Sequence, residues 1–111
     1  MWWGYRESRL RGNDIMRKEE IAESLKRFKT LKGNEYRIKR IGLFGSAARD
    51  RMNAQSDIDV VVELDRQDLF VLIGIKQDLE EQLERQVDVV SYREGMNRFL
   101  KDRIEKEAVY V

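Results

Sequence analysis

The chain has 111 residues, enough for one domain with a modest core and too few for a catalytic domain joined to a separate substrate platform, which is expected to come from a partner. Charged residues make up 39% of it, but 22 Lys and Arg nearly cancel 21 Asp and Glu, so no basic field favours direct nucleic-acid binding. With no Cys and no His, disulfides, thiol nucleophiles, thiolate or imidazole zinc sites and Ser-His relays are excluded, leaving carboxylates, hydroxyls, Lys, Arg and metal to carry any chemistry.

No apolar stretch approaches the roughly 18 to 20 residues of a membrane span and no signal-peptide core is present, so a cytoplasmic location is expected. Residues 1–15 mix two Trp and a Tyr with scattered charges and show no periodicity. They read as an extension ahead of a domain at 16–111, with Met16 an alternative start that would make them non-native.

From Arg17 the pattern is helical, with Ile21, Leu25 and Phe28 on one face, Asn13 or Asp14 available as N-cap, and Gly33-Asn34 as the stop. Arg37 to Phe44 reads as a first strand ending at Gly45-Ser46, followed by a short helical turn from Ala47 to Met52. Asp57 to Leu64 is a second strand, whose Ile58 and Val60 to Val62 predict a central position covered on both faces.

Asp65 or Asp68 can cap a helix running to about Leu83, with Leu72, Ile75, Leu79 and Leu83 on one face. Its first half, Leu69 to Ile75, is apolar almost all round. Deep burial of the helix accounts for that surplus; a partner interface is the alternative. A short strand from Val87 to Ser91 follows, then an amphipathic helix with Met96, Leu100 and Ile104 in register, and the chain closes with Ala108-Val109-Tyr110-Val111.

Three places in this pattern invite chemistry. At Gly45-Ser46 a residue without Cβ lets backbone N–H groups approach a ligand, and a hydroxyl follows at the start of a helical turn, which suits phosphate oxygens. A plain turn and cap would look the same. Asp57 and Asp59 stand at i and i+2 of a strand, on one side, with Cα atoms about 6 to 7 Å apart. Such a pair repels itself until a divalent cation binds it, although a solvated strand entrance or an Asx-turn also fits. Asp88 is a third carboxylate in an otherwise apolar strand, costly there unless it is paired, metal-bound or on the solvent face of an edge.

Gly45-Ser46, ten residues, then Asp57-Ile58-Asp59 and a later Asp88 resembles the signature of the DNA polymerase β-like nucleotidyltransferase superfamily. Within it the chain is most similar to the minimal nucleotidyltransferase (MNT) antitoxins, through Arg40-Ile41-Gly42-Leu43-Phe44-Gly45-Ser46-Ala47-Ala48-Arg49, Ser56 to Val62 and the closing Glu107 to Val111. The resemblance implies an α+β fold, a small mixed β-sheet with flanking helices. It also implies AMP transfer from ATP to a tyrosine hydroxyl of a HEPN-domain ribonuclease toxin, in a hetero-oligomer with that toxin. One position departs from the pattern: Asp50 stands where the family has Gly, and an acidic side chain there is expected to weaken nucleotide binding.

On this basis Asp57 and Asp59 are expected to hold two Mg²⁺ ions, with Asp88 completing the second site and able to accept the hydroxyl proton. Ser46 and the amides after Gly45 would hold the β and γ phosphates. Arg49 would add positive charge there, or else form a surface ion pair with Asp50 or Asp57. Glu63 shares the strand parity of the aspartates but reads as structural. Two other functions stay open at this point: an antitoxin that neutralises by binding alone, and nucleotidyl transfer to a small molecule or an RNA end.

Overall fold

In the structure, a computed structural model, residues 17–49 and 57–111 are described. The expectations for residues 1–16, for the caps Asn13 and Asp14, and for Asp50 to Ser56 lie outside them.

Helix α1 spans Lys18–Tyr36 and buries Ile21, Leu25 and Phe28, the face that the spacing predicts. At its start the Arg17 N–H donates to the Glu20 carboxylate at 2.8 Å. Gly33-Asn34 does not end it. The helix runs on to Tyr36 and stops at Arg37, which turns left-handed with φ 56°. Tertiary contact carries the extra residues: the Tyr36 ring stacks on Phe28 at 6.2 Å, and its hydroxyl donates to Asp78 at 2.6 Å. Those contacts offset the roughly 1 kcal/mol that a helical Gly costs relative to Ala.

Strand β1, Ile38–Phe44, leads directly into a one-turn helix α2, Gly45–Ala48, and strand β2, Ile58–Leu64, pairs antiparallel with β1. Helix α3, Leu69–Leu83, is capped by Asp68, whose carboxylate accepts from the N–H groups of Phe70 (2.9 Å) and Val71 (3.3 Å). Strand β3, Val87–Ser91, joins β2 in parallel, with α3 as the crossover that a parallel pair needs. Helix α4, Arg98–Glu107, starts after Asn97, which caps Leu100 N–H at 3.1 Å. Met96 therefore precedes the helix, although it packs in the same cluster as Leu100 and Ile104.

A last strand, β4 at Val109–Tyr110, adds antiparallel to the free side of β1. The sheet order is β3-β2-β1-β4, a four-stranded mixed sheet with helices, as the α+β expectation requires. β2 is central: Ile58, Val60, Val62 and Leu64 face the main core under α1 and α3, while Val61 faces the second cluster under α4. By the two-residue alternation of a strand, Asp59 points to the α4 side with Val61.

The surplus apolar residues of α3 are not deeply buried. Leu69 is 68% exposed, Phe70 83% and Ile73 43%, while Ile75, Leu79 and Leu83 are buried and Val71 and Leu72 pack half-buried against the same core. A single sheet face can cover one helical stripe and no more, so the apolar residues off that stripe remain on the surface. No helix among the described residues is long and apolar enough to cross a membrane.

Gly42 shows how closely β4 is fitted. A Cβ there would stand 2.5 Å from the Val109 carbonyl oxygen and 2.9 Å from Tyr110 Cα, both backbone atoms. Gly42→Val is accordingly expected to lower stability by about 1 to 3 kcal/mol in chemical denaturation. Hydrogen exchange should accelerate at Val111, whose N–H donates to the Ile41 carbonyl at 3.0 Å.

Candidate active site

The site forms where the ends of β1, β2 and β3 meet on the α4 side of the sheet. Phe44 pairs with Asp59 across the antiparallel ladder, and Asp59 pairs with Asp88 across the parallel one. Adjacent strands lie about 4.8 Å apart, and Asp88 shares strand parity with Val90, which packs in the α4 cluster. Asp59 and Asp88 therefore project side by side. Asp57, two residues before Asp59, stands exposed at the entrance of β2 with the same parity.

Asp88 owes its register to α3. Gln86 O accepts from Ile58 N–H at 3.0 Å, which opens the parallel ladder. The outer polar groups of Val87 are taken by a helical ion pair: Lys76 donates to its carbonyl at 2.6 Å, and its N–H donates to Glu80 at 3.0 Å. Lys76 and Glu80 themselves pair at 2.8 Å. β3 is an edge strand and Asp88 is exposed on it, as one of its sequence readings supposes, but the exposed face is the one Asp59 shares.

Gly45 is left-handed, with φ 68°. A Cβ at that position would collide with the Asp59 carboxylate, so the missing side chain is the space in which that carboxylate lies. Ser46 follows, half-buried, on the first turn of α2.

Two residues outside the predicted set complete the arrangement. Glu107, the last residue of α4, accepts from Gly45 N–H at 3.2 Å and from Arg49 Nη1 at 2.9 Å. Arg103, one turn earlier, lies 3.7 Å from Glu107 and over the Phe44 ring at 5.6 Å. Arg49 is thus ion-paired with Glu107 at the end of α4, a partner its sequence reading did not name; Asp50 lies outside the described residues. Sequence reasoning met Glu107 only as the start of the closing family segment. Arg103 and Glu107 otherwise look like an ordinary i, i+4 pair on a helix surface.

Burial, first, and then the neighbouring Asp88 push the Asp59 carboxyl above its ordinary value; Arg103 opposes them, Asp57 adds to them, and Arg49 opposes more weakly. The donors available to a cation are oxygens only, which suits Mg²⁺. Among the described residues no group of three or more Asp and Glu draws together into a ready-made cage. Asp59 and Asp88 are side by side and Asp57 acts on Asp59 from the entrance, an open arrangement that suits an ion completing its shell with water and substrate phosphate.

A raised carboxyl favours the protonated folded state, so its contribution to stability falls as pH rises from the unfolded value of about 3.9 through the raised folded one, and above that window ionised Asp59 is a net cost. Asp59→Asn should therefore raise the melting temperature at pH 7 in a chelating buffer, and the gain should vanish as the pH is brought below about 4. Millimolar Mg²⁺ should stabilise the unaltered chain more than this variant.

Residues 19–111 match the family described as nucleotidyltransferase domain. A protein of Methanocaldococcus jannaschii, named as an inferred protein adenylyltransferase, is 34% identical over 95 residues, covering 83% of this chain and 95% of its own. Among solved structures, that of an inferred minimal nucleotidyltransferase superposes with a TM-score of 0.71 at 28% identity, over 85% of this chain and 95% of that one. A crystal structure of a toxin-antitoxin with AMP-PNP gives 0.66 at 26% identity, over 78% of this chain and 70% of that one. A family match that takes in every element carrying Gly45, Asp59, Asp88 and Glu107 leaves one conclusion: the chain belongs to the nucleotidyltransferase domain family and is an enzyme of that class.

Proposed function

We propose that this protein is an antitoxin that transfers AMP from ATP to a tyrosine hydroxyl of a cognate HEPN-type ribonuclease toxin. The observation that carries the reading is the alignment of Asp59 with Asp88 beside the left-handed Gly45, all on the α4 side of the sheet. The similarity to a named protein adenylyltransferase supports a protein acceptor, and the toxin-antitoxin neighbour with AMP-PNP supports both an adenine nucleotide and a toxin partner.

In this mechanism Asp57, Asp59 and Asp88 would hold Mg²⁺, two ions in the full site, which would supply neutralisation of triphosphate charge and a lower pKa for the attacking hydroxyl. Ser46 and the amides that follow Gly45 orient the β and γ phosphates so that pyrophosphate points away from the acceptor. The tyrosine oxygen bonds to the α phosphorus, the bond from that phosphorus to the bridging oxygen breaks, and Asp88 takes the hydroxyl proton. Gly45 contributes by absence: any side chain there would displace Asp59.

Incubation with ATP labelled at the α phosphate and the cognate toxin should label the toxin, and mass spectrometry should place one AMP on tyrosine. Joint replacement Asp57→Ala, Asp59→Ala should reduce that rate by several orders of magnitude while the fold survives. Label transfer that persists in the double variant would rule the mechanism out.

A second reading, neutralisation by binding alone, is favoured by the exposed Leu69, Phe70 and Ile73 on α3. The same double variant separates the two in a cell-growth assay with the toxin co-expressed. Catalytic neutralisation predicts lost protection with the complex still formed; protection that survives without the carboxylates would make binding the function.

A further inference from the structure

Asp57, Asp59 and Asp88 oppose an entering polyphosphate wherever bound Mg²⁺ does not offset them, so cationic side chains on the same face add to its binding. Among the described residues, two guanidiniums stand near the Gly45 turn. Arg49 is committed: its Nη1 donates to Glu107 at 2.9 Å, and the same carboxylate takes Gly45 N–H at 3.2 Å. Drawing Arg49 onto a phosphate would break a charge-assisted hydrogen bond and leave Glu107 with only the long contact to Arg103 and the Gly45 N–H among the partners described.

Arg103 is placed differently. Its contact with Glu107 is long, 3.7 Å, and half of its side chain is open to solvent. One terminal nitrogen lies 3.3 Å from where a Cβ would stand at Gly45, the space that the Asp59 carboxylate also borders. Its guanidinium carbon sits 5.6 Å from the centre of the Phe44 ring, a cation–π seat that restricts the fork without using its donors.

We propose that Arg103 is the guanidinium that binds the phosphates of the nucleotide substrate, and that Arg49 instead ties α2 to α4 through Glu107. The proposal rests on the nucleotidyl-transfer reading. A planar fork with donors to spare matches phosphate oxygens bidentately, whereas an amine of the same charge does not. Arg103 also stands against the ladder pair Phe44 and Asp59, where the α phosphate must lie if Asp59 is to help hold its metal.

Calorimetric titration of AMP-PNP with Mg²⁺ into the full chain tests this without an acceptor. Arg103→Gln should weaken binding about tenfold or more and flatten its salt dependence, with the melting temperature little changed. Arg103→Lys, which keeps charge and stem, should recover only part of the affinity. Arg49→Gln should chiefly lower the melting temperature and lose less affinity than Arg103→Gln. Unchanged affinity in Arg103→Gln, or a larger loss in Arg49→Gln, overturns the assignment while leaving nucleotidyl transfer standing. Failure of the unaltered chain to bind the nucleotide removes both.

Discussion

A carboxylate in the central strand of a sheet, pressed against the backbone of its neighbour, is the constraint on which this molecule turns. Asp59 pairs with Phe44 on one side and Asp88 on the other, and its carboxylate lies in the space that a Cβ would fill at Gly45. The local environment works against its charge, through burial and through two further aspartates. Nothing in the packing requires an ionisable group there, since the residues that flank Asp59 in β2 are Ile58 and the run Val60 to Val62. A cost of that kind persists where a ligand offsets it, and on the proposed reading a divalent cation with a bound triphosphate would do so.

The rest of the architecture serves that point from different directions. α3 holds the outer backbone of Val87, which fixes the register of β3 and hence the place of Asp88. α4 covers Phe44 and Val61 with Ile104 and delivers Arg103 and Glu107 to the start of α2. α1 has no part in the site; it closes the opposite face of the sheet with Ile21, Leu25 and Phe28. The sheet thus separates a sealed apolar side from a working side, and strand alternation in β2 assigns Val60 and Val62 to the first and Asp59 and Val61 to the second.

Much of this was legible in the residues. The Ile and Val runs mark β1, β2 and β3, the four and three spacing marks α1, and Gly45-Ser46 with the later aspartates marks the site, because these signals are local. What was not legible depends on contacts distant in sequence. Helix α1 outruns Gly33-Asn34 because Tyr36 finds Phe28 and Asp78, and Asp78 lies 42 residues away. Two-residue β4 is too short to show a period and exists because Gly42 leaves room for it. Arg49 meets Glu107 across 58 residues, a pairing no spacing rule points to. The apolar start of α3 misled in another way, since composition cannot say how many faces of a helix the fold will cover.

The bond between Gly45 and Glu107 spans 62 residues, and it joins the first turn of the site to the last helix of the domain. During synthesis the carboxylate triad and the glycine turn emerge well before α4, so the nascent chain carries the parts of a catalyst without the residues that fasten them. Long-range closure of this sort also comes late in folding, after local helices and hairpins. On the proposed mechanism, a chain cut between Ser91 and Arg103 would keep all three aspartates and lose the two side chains that fasten the Gly45 turn.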